Sequence, residues 1–232
     1  MAGLLRFLIF FALLLAALVL VVLPLALSPL LTQMVRDMGM RSETLEVTVA
    51  MLDPGLILGR SRQVTLVAGN VDMAPAHIGH INLALGDASY FDRSFETVRG
   101  EMTDISVTIG GQVITASTIA LNGPAQAATA TARMSAVETE ELITFAAQRA
   151  GLTVDSVRVT ESGVTVRVRG LEADARIAVR GGALLLQPGS GGAIVLLQPA
   201  TSDPWSLTDA WISERGLNIS GTVNVSRLVR DL

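Results

Sequence analysis

The chain contains no cysteine, no lysine and only two histidines in 232 residues. Without cysteine there is no disulfide, no thiolate nucleophile, no cysteine-type zinc site and no lipoprotein anchor. Without lysine, all 17 basic residues are arginines, so an anionic group must be met by guanidinium forks or backbone N–H groups. Aromatics are also few: two Trp, one Tyr and six Phe. A core built from small and aliphatic side chains needs many strands to bury enough surface. No G-x-S-x-G elbow, P-loop, dinucleotide fingerprint or H-E-x-x-H motif occurs.

Against these absences stands one long uncharged run, Phe7 to Leu27. A bilayer core about 30 Å thick needs roughly 20 apolar residues in a spanning helix, and this run meets that length. Arg6 precedes it, so the positive-inside rule keeps the N-terminus cytoplasmic and exports the rest. A cleaved signal is the competing reading, with Ala26-Leu27-Ser28 as the nearest small-x-small site, although its apolar region is typically only about 7–15 residues. The expected division is an anchor or signal over 1–31 and one extracytoplasmic domain over 32–232. The domain holds all 21 acidic residues and every arginine but Arg6. That acidic balance argues against a nucleic-acid partner.

Ser28 to Met38 reads as a helix continuing from the run, with Leu30, Leu31, Met34 and Met38 on one side and Gly39 as its C-cap. The period then changes to two. Leu45, Val47 and Val49 alternate with polar neighbours, and Asp53-Pro54-Gly55 marks a turn. Further strands are expected over Gln63–Asn70, His80–Gly86, Arg99–Ile109 and Gln112–Asn122. A second helix starts near Ala136, where Ser135 and Glu138 form a capping box, and it ends at Gly151. Val137, Leu142, Phe145 and Ala146 give it an apolar side. Strands then resume around Val157, Val164 and Ile177, with Glu161-Ser162-Gly163 as a turn between the first two. Helix, glycine and strands occur twice, which suggests a coarse internal repeat.

Two later strands, Ala183–Gln187 and Ala193–Gln198, are apolar on both faces. A half-solvated antiparallel strand should alternate. Either both faces meet protein, or one meets something apolar that is not protein. Leu184, Leu185, Leu186, Ile194, Val195 and Leu196 are therefore candidate linings of an apolar groove. Arg167, Arg169, Arg176 and Arg180, with Arg158, lie opposite the Val/Ile rows of three successive strands. They are candidate contacts for anionic head groups, or else an ordinary solvated face neutralised by Asp155, Glu161, Glu172 and Asp174. His77 and His80, in what reads as a loop entering a strand, offer a weak metal pair with Asp72 or Asp87. Asp87, Asp92, Glu96, Glu101 and Asp104 flank one region and are acid-base candidates, or else a solvated strand edge. Asn218-Ile219-Ser220 and Asn224-Val225-Ser226 are sequons, and Trp205 and Trp211 suit either an interface or a core.

Four segments carry a likeness to a known family: SPLLTQMVRDMG before TLEVTV, PGLILGRSRQVTLVAGNV, TEELITFAAQRAG before SVRVTESGVTVRV, and GGALLLQPGSGGAIVLLQP followed by WSL. Together the stretch from Ser28 to Leu232 resembles the LmeA-type phospholipid-binding family of exported or membrane-anchored bacterial proteins. The resemblance implies an α+β domain, with a curved antiparallel sheet packed on two helices around an apolar groove for acyl chains. It implies phospholipid binding and a part in cell-envelope lipid or lipoglycan metabolism. It carries over no catalytic residue, metal or cofactor. The expected function is thus a membrane-tethered lipid-binding or lipid-transfer domain that is not an enzyme. An envelope scaffold docking on another membrane protein is the alternative, and a hydrolase built on the scattered carboxylates is a third reading.

Overall fold

The computed structural model describes residues 32–33, 41–50, 53–73, 76–89, 91–92, 94–109, 112–189 and 192–231. The apolar run Phe7–Leu27 and most of the stretch Ser28–Met38 lie outside them. Among the described residues no helix is long and apolar enough to cross a membrane.

Period-two alternation produces strands wherever it was read, and they run longer than the alternation alone marks. The first sheet starts with β1 (Arg41–Val49), β2 (Arg60–Met73), β3 (Ala76–Ser89), β4 (Thr97–Ile109), β5 (Gln112–Pro124) and β6 (Ala128–Met134). It is completed by β12 (Trp205–Ser213) and β13 (Gly216–Val223), in the order β1-β2-β3-β4-β5-β6-β13-β12. The second sheet holds β7 (Ser156–Thr160), β8 (Gly163–Val168), β9 (Leu171–Arg180), β10 (Ala183–Pro188) and β11 (Ile194–Leu197), in the order β11-β10-β9-β8-β7. All described pairings are antiparallel. The fold is mostly antiparallel β, in two sheets rather than the single sheet expected. Among the described residues its helical elements are α1 (Ala136–Arg149) and the short C-terminal α2 (Val225–Asp231), and residues 32–33 are also helical.

Helix α1 follows its sequence signals closely. Ser135 is its N-cap, with both halves of the capping box present, and Gly151 past its end is left-handed at φ 75°. Leu142, Ile143, Ala146 and Ala147 are buried, while Val137, expected on the apolar side, is exposed.

Register shows how one apolar face runs through the large sheet. Leu45, Ala68, Ile81, Met102, Ile119, Ala132, Ile219 and Ala210 stand opposite one another across all eight strands. Cross-strand partners share a face, so these residues form one continuous apolar row. A parallel row runs Val47, Leu66, Leu83, Gly100, Leu121, Ala130, Gly221 and Leu207. Gly100 has φ +153°, and a Cβ there would lie 2.0 Å from the Asn82 carbonyl oxygen. Only glycine lets β3 and β4 approach this closely.

This face has two halves. Over β6, β13 and β12 it is covered by α1 and the second sheet. Ile143, Leu184, Leu186 and Leu217 lie at the centre of that core, with Met134, Val164, Ala175 and Ile219 around them. Over β1 to β4 the strands pack against one another and the 3-10 turn Pro54–Leu58, and no described element forms a second layer of comparable contact. There Leu45, Leu66, Leu83, Leu85 and Met102, with Ile119 of the neighbouring β5, are half-buried around small clusters centred on Ala68, Ile81, Val64 and Val98.

The long strands are bent by their own polar residues. Asn70, Asp87 and Asp104 have φ of 50°, 50° and 54°. Asn and Asp tolerate this left-handed region best among side-chain-bearing residues. Across Asn70 and Asp104 the alternation slips. Ala68 and Val71, Ile78 and Ile81, and Met102 and Ile105 are three residues apart, yet Ala68, Val71, Ile78, Ile81 and Ile105 share one cluster with Met102 against it. Such breaks bend and twist strands.

Candidate functional site: the open half of the large sheet

The doubly apolar strands prove to be core on one face. Leu184, Leu186 and Leu196 are buried beneath α1 with Ile143 and Val164, and Ile194 packs on them. Leu185 and Val195 are paired on the other face, where Val195 is 49% exposed. Neither described cavity is lined by any of the six residues. Leu184, Leu186 and Leu196 are thus placed as packing and not as cavity lining, because α1 occupies the side a ligand would need.

The arginine face is mixed rather than cationic. Arg167 donates to Glu172 at 2.7 Å, directly across the β8–β9 ladder. Thr165 donates to Asp174 at 3.1 Å in the next row, where Arg158 also stands. Arg169 sits in the β8–β9 turn at φ 50°. Arg176 and Arg180 lie four and eight residues along β9 from Glu172, roughly 13 and 26 Å at about 3.3 Å per residue. One surface holds some of these arginines, each among polar or acidic neighbours, and does not gather all four at a point.

The acid-base candidates also disperse. Asp92 accepts from the Ser89 hydroxyl at 2.9 Å, Glu101 stands opposite Asn82, and Asp104 lies over Gly79. They line β4 and its turn and do not converge. His77 and His80 lie inside β3, not in a loop. His77 Nδ1 is 2.6 Å from Asp72 Oδ1. Register adds what the sequence could not show: Asp72, His77 and Ser106 stand opposite one another on β2, β3 and β4. Acid, imidazole and hydroxyl occur there in the order of a serine triad. Asp72 and His77 are, however, 69% and 46% exposed, and no described hydrogen bond joins Ser106 to the ring. A triad carboxylate works by holding the imidazole in a water-poor site, and this one stays hydrated. No group of three potential metal ligands occurs among the described residues.

An open cleft of about 510 Å³ lies between the β7–β8 and β12–β13 turns, lined by Ala136, Val159, Thr160, Glu161, Ser162, Ser213, Glu214 and Gly216. Its hydroxyls are already engaged: Thr160 with Ser162 at 3.0 Å, and Ser213 with the Asn218 amide at 3.0 Å. Asn218 is buried and Asn224 receives the Arg227 N–H at 2.9 Å, so both sequon asparagines serve the fold. Trp205 packs against the cluster around Val98 and Leu121, whereas Trp211 is exposed on β12.

Two carboxylates are held below their ordinary range. For Asp53, burial pushes the pKa up, but N–H groups of Arg62 at 2.6 Å and Gly55 at 2.9 Å outweigh it. For Glu138, burial is likewise outweighed by hydrogen bonds from Ser117 at 2.6 Å and from the backbone and hydroxyl of Ser135. Both act as structural clamps, one on the turn before β2 and one on the start of α1.

What remains for a ligand is the half-buried apolar surface of β1 to β4. Sequence reasoning saw these residues as strand cores. Only the topology reveals that no described second layer matches the one over β6, β13 and β12. No family model, no curated protein and no solved structure matches the chain.

Proposed function

We propose that the chain is a membrane-tethered phospholipid-binding or lipid-transfer protein of the LmeA type, with its domain on the extracytoplasmic side. The observation that carries this reading is the continuous apolar face of the large sheet. One half is closed by α1 and the second sheet, and the other half presents Leu45, Leu66, Leu83, Leu85 and Met102 without an equivalent cover among the described residues. Aliphatic rows on long bent strands suit acyl chains, which ask for apolar area and no directional partner. The uncharged run Phe7–Leu27 supplies the tether. The ligand surface in this reading is β1 to β4 in place of the β10–β11 pair.

Lipid extraction and mass spectrometry of the full chain, purified in detergent and washed extensively, test this. Stoichiometric phospholipid is expected in the wild type, and Leu66→Asp or Leu83→Asp should lower it at least fivefold while the far-UV spectrum is kept. A washed chain with no bound lipid and unchanged thermal stability overturns the reading and favours an envelope scaffold.

A further inference from the structure

We propose that the end of the large sheet carrying Leu58 and Phe91 dips into the bilayer that tethers the chain, and forms the port through which a phospholipid reaches the apolar face. This rests on the tethered lipid-binding reading above.

Leu58 and Phe91 are 73% and 81% exposed, yet they are presented by a braced turn. The 3-10 turn Pro54–Leu58 is capped by Asp53, whose carboxylate takes the N–H groups of Gly55 and Arg62. Leu56 points inward and is buried, and Leu58 points out. Gly59 closes the turn at φ 72°, and a Cβ there would lie 2.0 Å from the Phe91 ring. The ring therefore sits on Gly59, which brings the two exposed side chains together from two separate connections. Arg60 and Arg62 follow as exposed cations at the depth of head groups once the tip is inserted. Asp92, next to Phe91, is engaged by Ser89.

Position links the tip to the lipid surface. It closes the end of the sheet where Val49 meets Val64 and Arg60 meets Ser89. Phe95, from the same connection as Phe91, packs against the Val98–Leu121 cluster that Leu83 and Leu85 also border, and with Leu85 against the cluster of Val47, Val64 and Ala88. A lipid leaving the bilayer at the tip thus meets the apolar rows at once.

The size of the patch selects a bilayer over a protein. A stable protein contact needs about 800 Å² from each partner, which two side chains on a convex turn cannot supply. Insertion of two apolar side chains gives a weak affinity that suffices when a tether holds the domain beside its membrane at high effective concentration. Thirteen residues, Ser28 to Met40, separate the apolar run from β1. β2 spans 14 residues, about 46 Å. Arg41 starts at the end away from the tip, so the tip meets the tethering bilayer when the sheet lies along it.

The absence of cysteine makes the test specific. Leu58→Cys, Phe91→Cys and a control, Leu171→Cys, are made in the full chain, labelled with an environment-sensitive fluorophore and reconstituted into phosphatidylcholine vesicles. Leu171 is 77% exposed at the start of β9 and serves as an equally exposed reference. Nitroxide lipids in the same vesicles should quench the probes at 58 and 91 at least threefold more than the probe at 171. Quenching equal to that at 171, or quenching only by nitroxide lipids in a second vesicle population, overturns the inference. Carbonate extraction of the same samples separates the two readings: a chain that leaves the vesicles overturns the tether and this inference with it. In addition, the double variant Leu58→Ser, Phe91→Ser should take up fluorescent phospholipid more slowly, with its final lipid load unchanged. An unchanged uptake rate overturns the role as a port.

Discussion

Strands β3 and β13 carry apolar residues on the same face of one sheet, and they meet different fates. Leu217 and Ile219 on β13 are buried under α1 and the second sheet, while Leu83 and Leu85 on β3 are half-buried on a face that no described residues cover to a comparable extent. Both strands bring Leu and Ile side chains to that face. What differs is the partner that the chain folds back over it. After β6, the capping box at Ser135 starts α1, and the β7–β11 meander brings a second sheet onto β6, β13 and β12. No element of that kind is inserted among β1 to β4.

The largest test of this contrast is a matched pair of truncations. Leu184→Ala removes a fully buried side chain from the covered half and should cost about 3–4 kcal/mol. Leu83→Ala removes a half-buried one and should cost about 1 kcal/mol. Denaturant unfolding of both, at equal slope, measures the difference. Equal losses would mean that the two halves are packed alike, and the contrast would collapse.

Gly100→Ala acts on the open half through the backbone. A methyl group 2.0 Å from the Asn82 carbonyl at φ +153° cannot be accommodated without separating β3 from β4. A loss of at least about 3 kcal/mol is expected in the same assay, near the cost of the buried leucine. Gly170→Ala is its control: at φ 78° a Cβ there meets nothing within 4 Å, so only the conformational cost of about 1 kcal/mol remains.

These two halves were unequally legible in the sequence. Alternation located β1 to β5, and the capping box placed α1 to the residue, because both signals are local. β6, with its Ala and Thr, and β12 and β13 carry weaker patterns, and the Val225–Asp231 helix has only seven residues. The expectation that Leu184, Leu186 and Leu196 line a groove took an apolar two-faced strand as a sign of ligand. The alternative, that protein meets the inner face, holds for those three, since α1 lies against them. Asp87 and Asp104 read as acid-base candidates but occupy left-handed positions in bent strands. Asp72, His77 and Ser106 became neighbours only through strand register. Pairing partners and the placing of the second sheet over one half are long-range facts that composition and period do not encode.

Helix α1 is the element that closes the covered half, and its first turn sharpens the comparison by a smaller amount. Ser135→Ala should cost about 1 kcal/mol, the usual value of an N-cap hydroxyl. Glu138 adds a pH signature. Its folded pKa lies below the ordinary glutamate value, because hydrogen bonds from Ser117 and Ser135 outweigh its burial. A depressed carboxylate stabilises the fold fully above that ordinary value, and its contribution fades as pH falls through the folded one. The advantage of the wild type over Glu138→Gln should therefore shrink between pH 6 and pH 3. An advantage that grows on acidification would contradict the clamp.

The smallest effect is expected on the outer face of the second sheet, which neither half of the apolar comparison uses. Arg167 and Glu172 form an ion pair at 2.7 Å, but both side chains are more than 45% exposed. Exposed pairs of this kind contribute between zero and about 1 kcal/mol, and salt weakens them further. Changing Arg167, Arg169, Arg176 and Arg180 together to Gln should therefore shift the thermal midpoint by no more than about 2 °C. Acidic partners also stand in this face: Glu172 beside Arg167, and Asp174 in the row of Arg158. They offset the attraction that four free guanidiniums would exert on anionic lipid, about 1 kcal/mol each near a charged surface. Lipid load and its salt dependence should consequently be the same in the quadruple variant and the wild type. A load that falls more than threefold in the variant, and falls further at low salt, would move the head-group contact onto this sheet and away from the end of the open half.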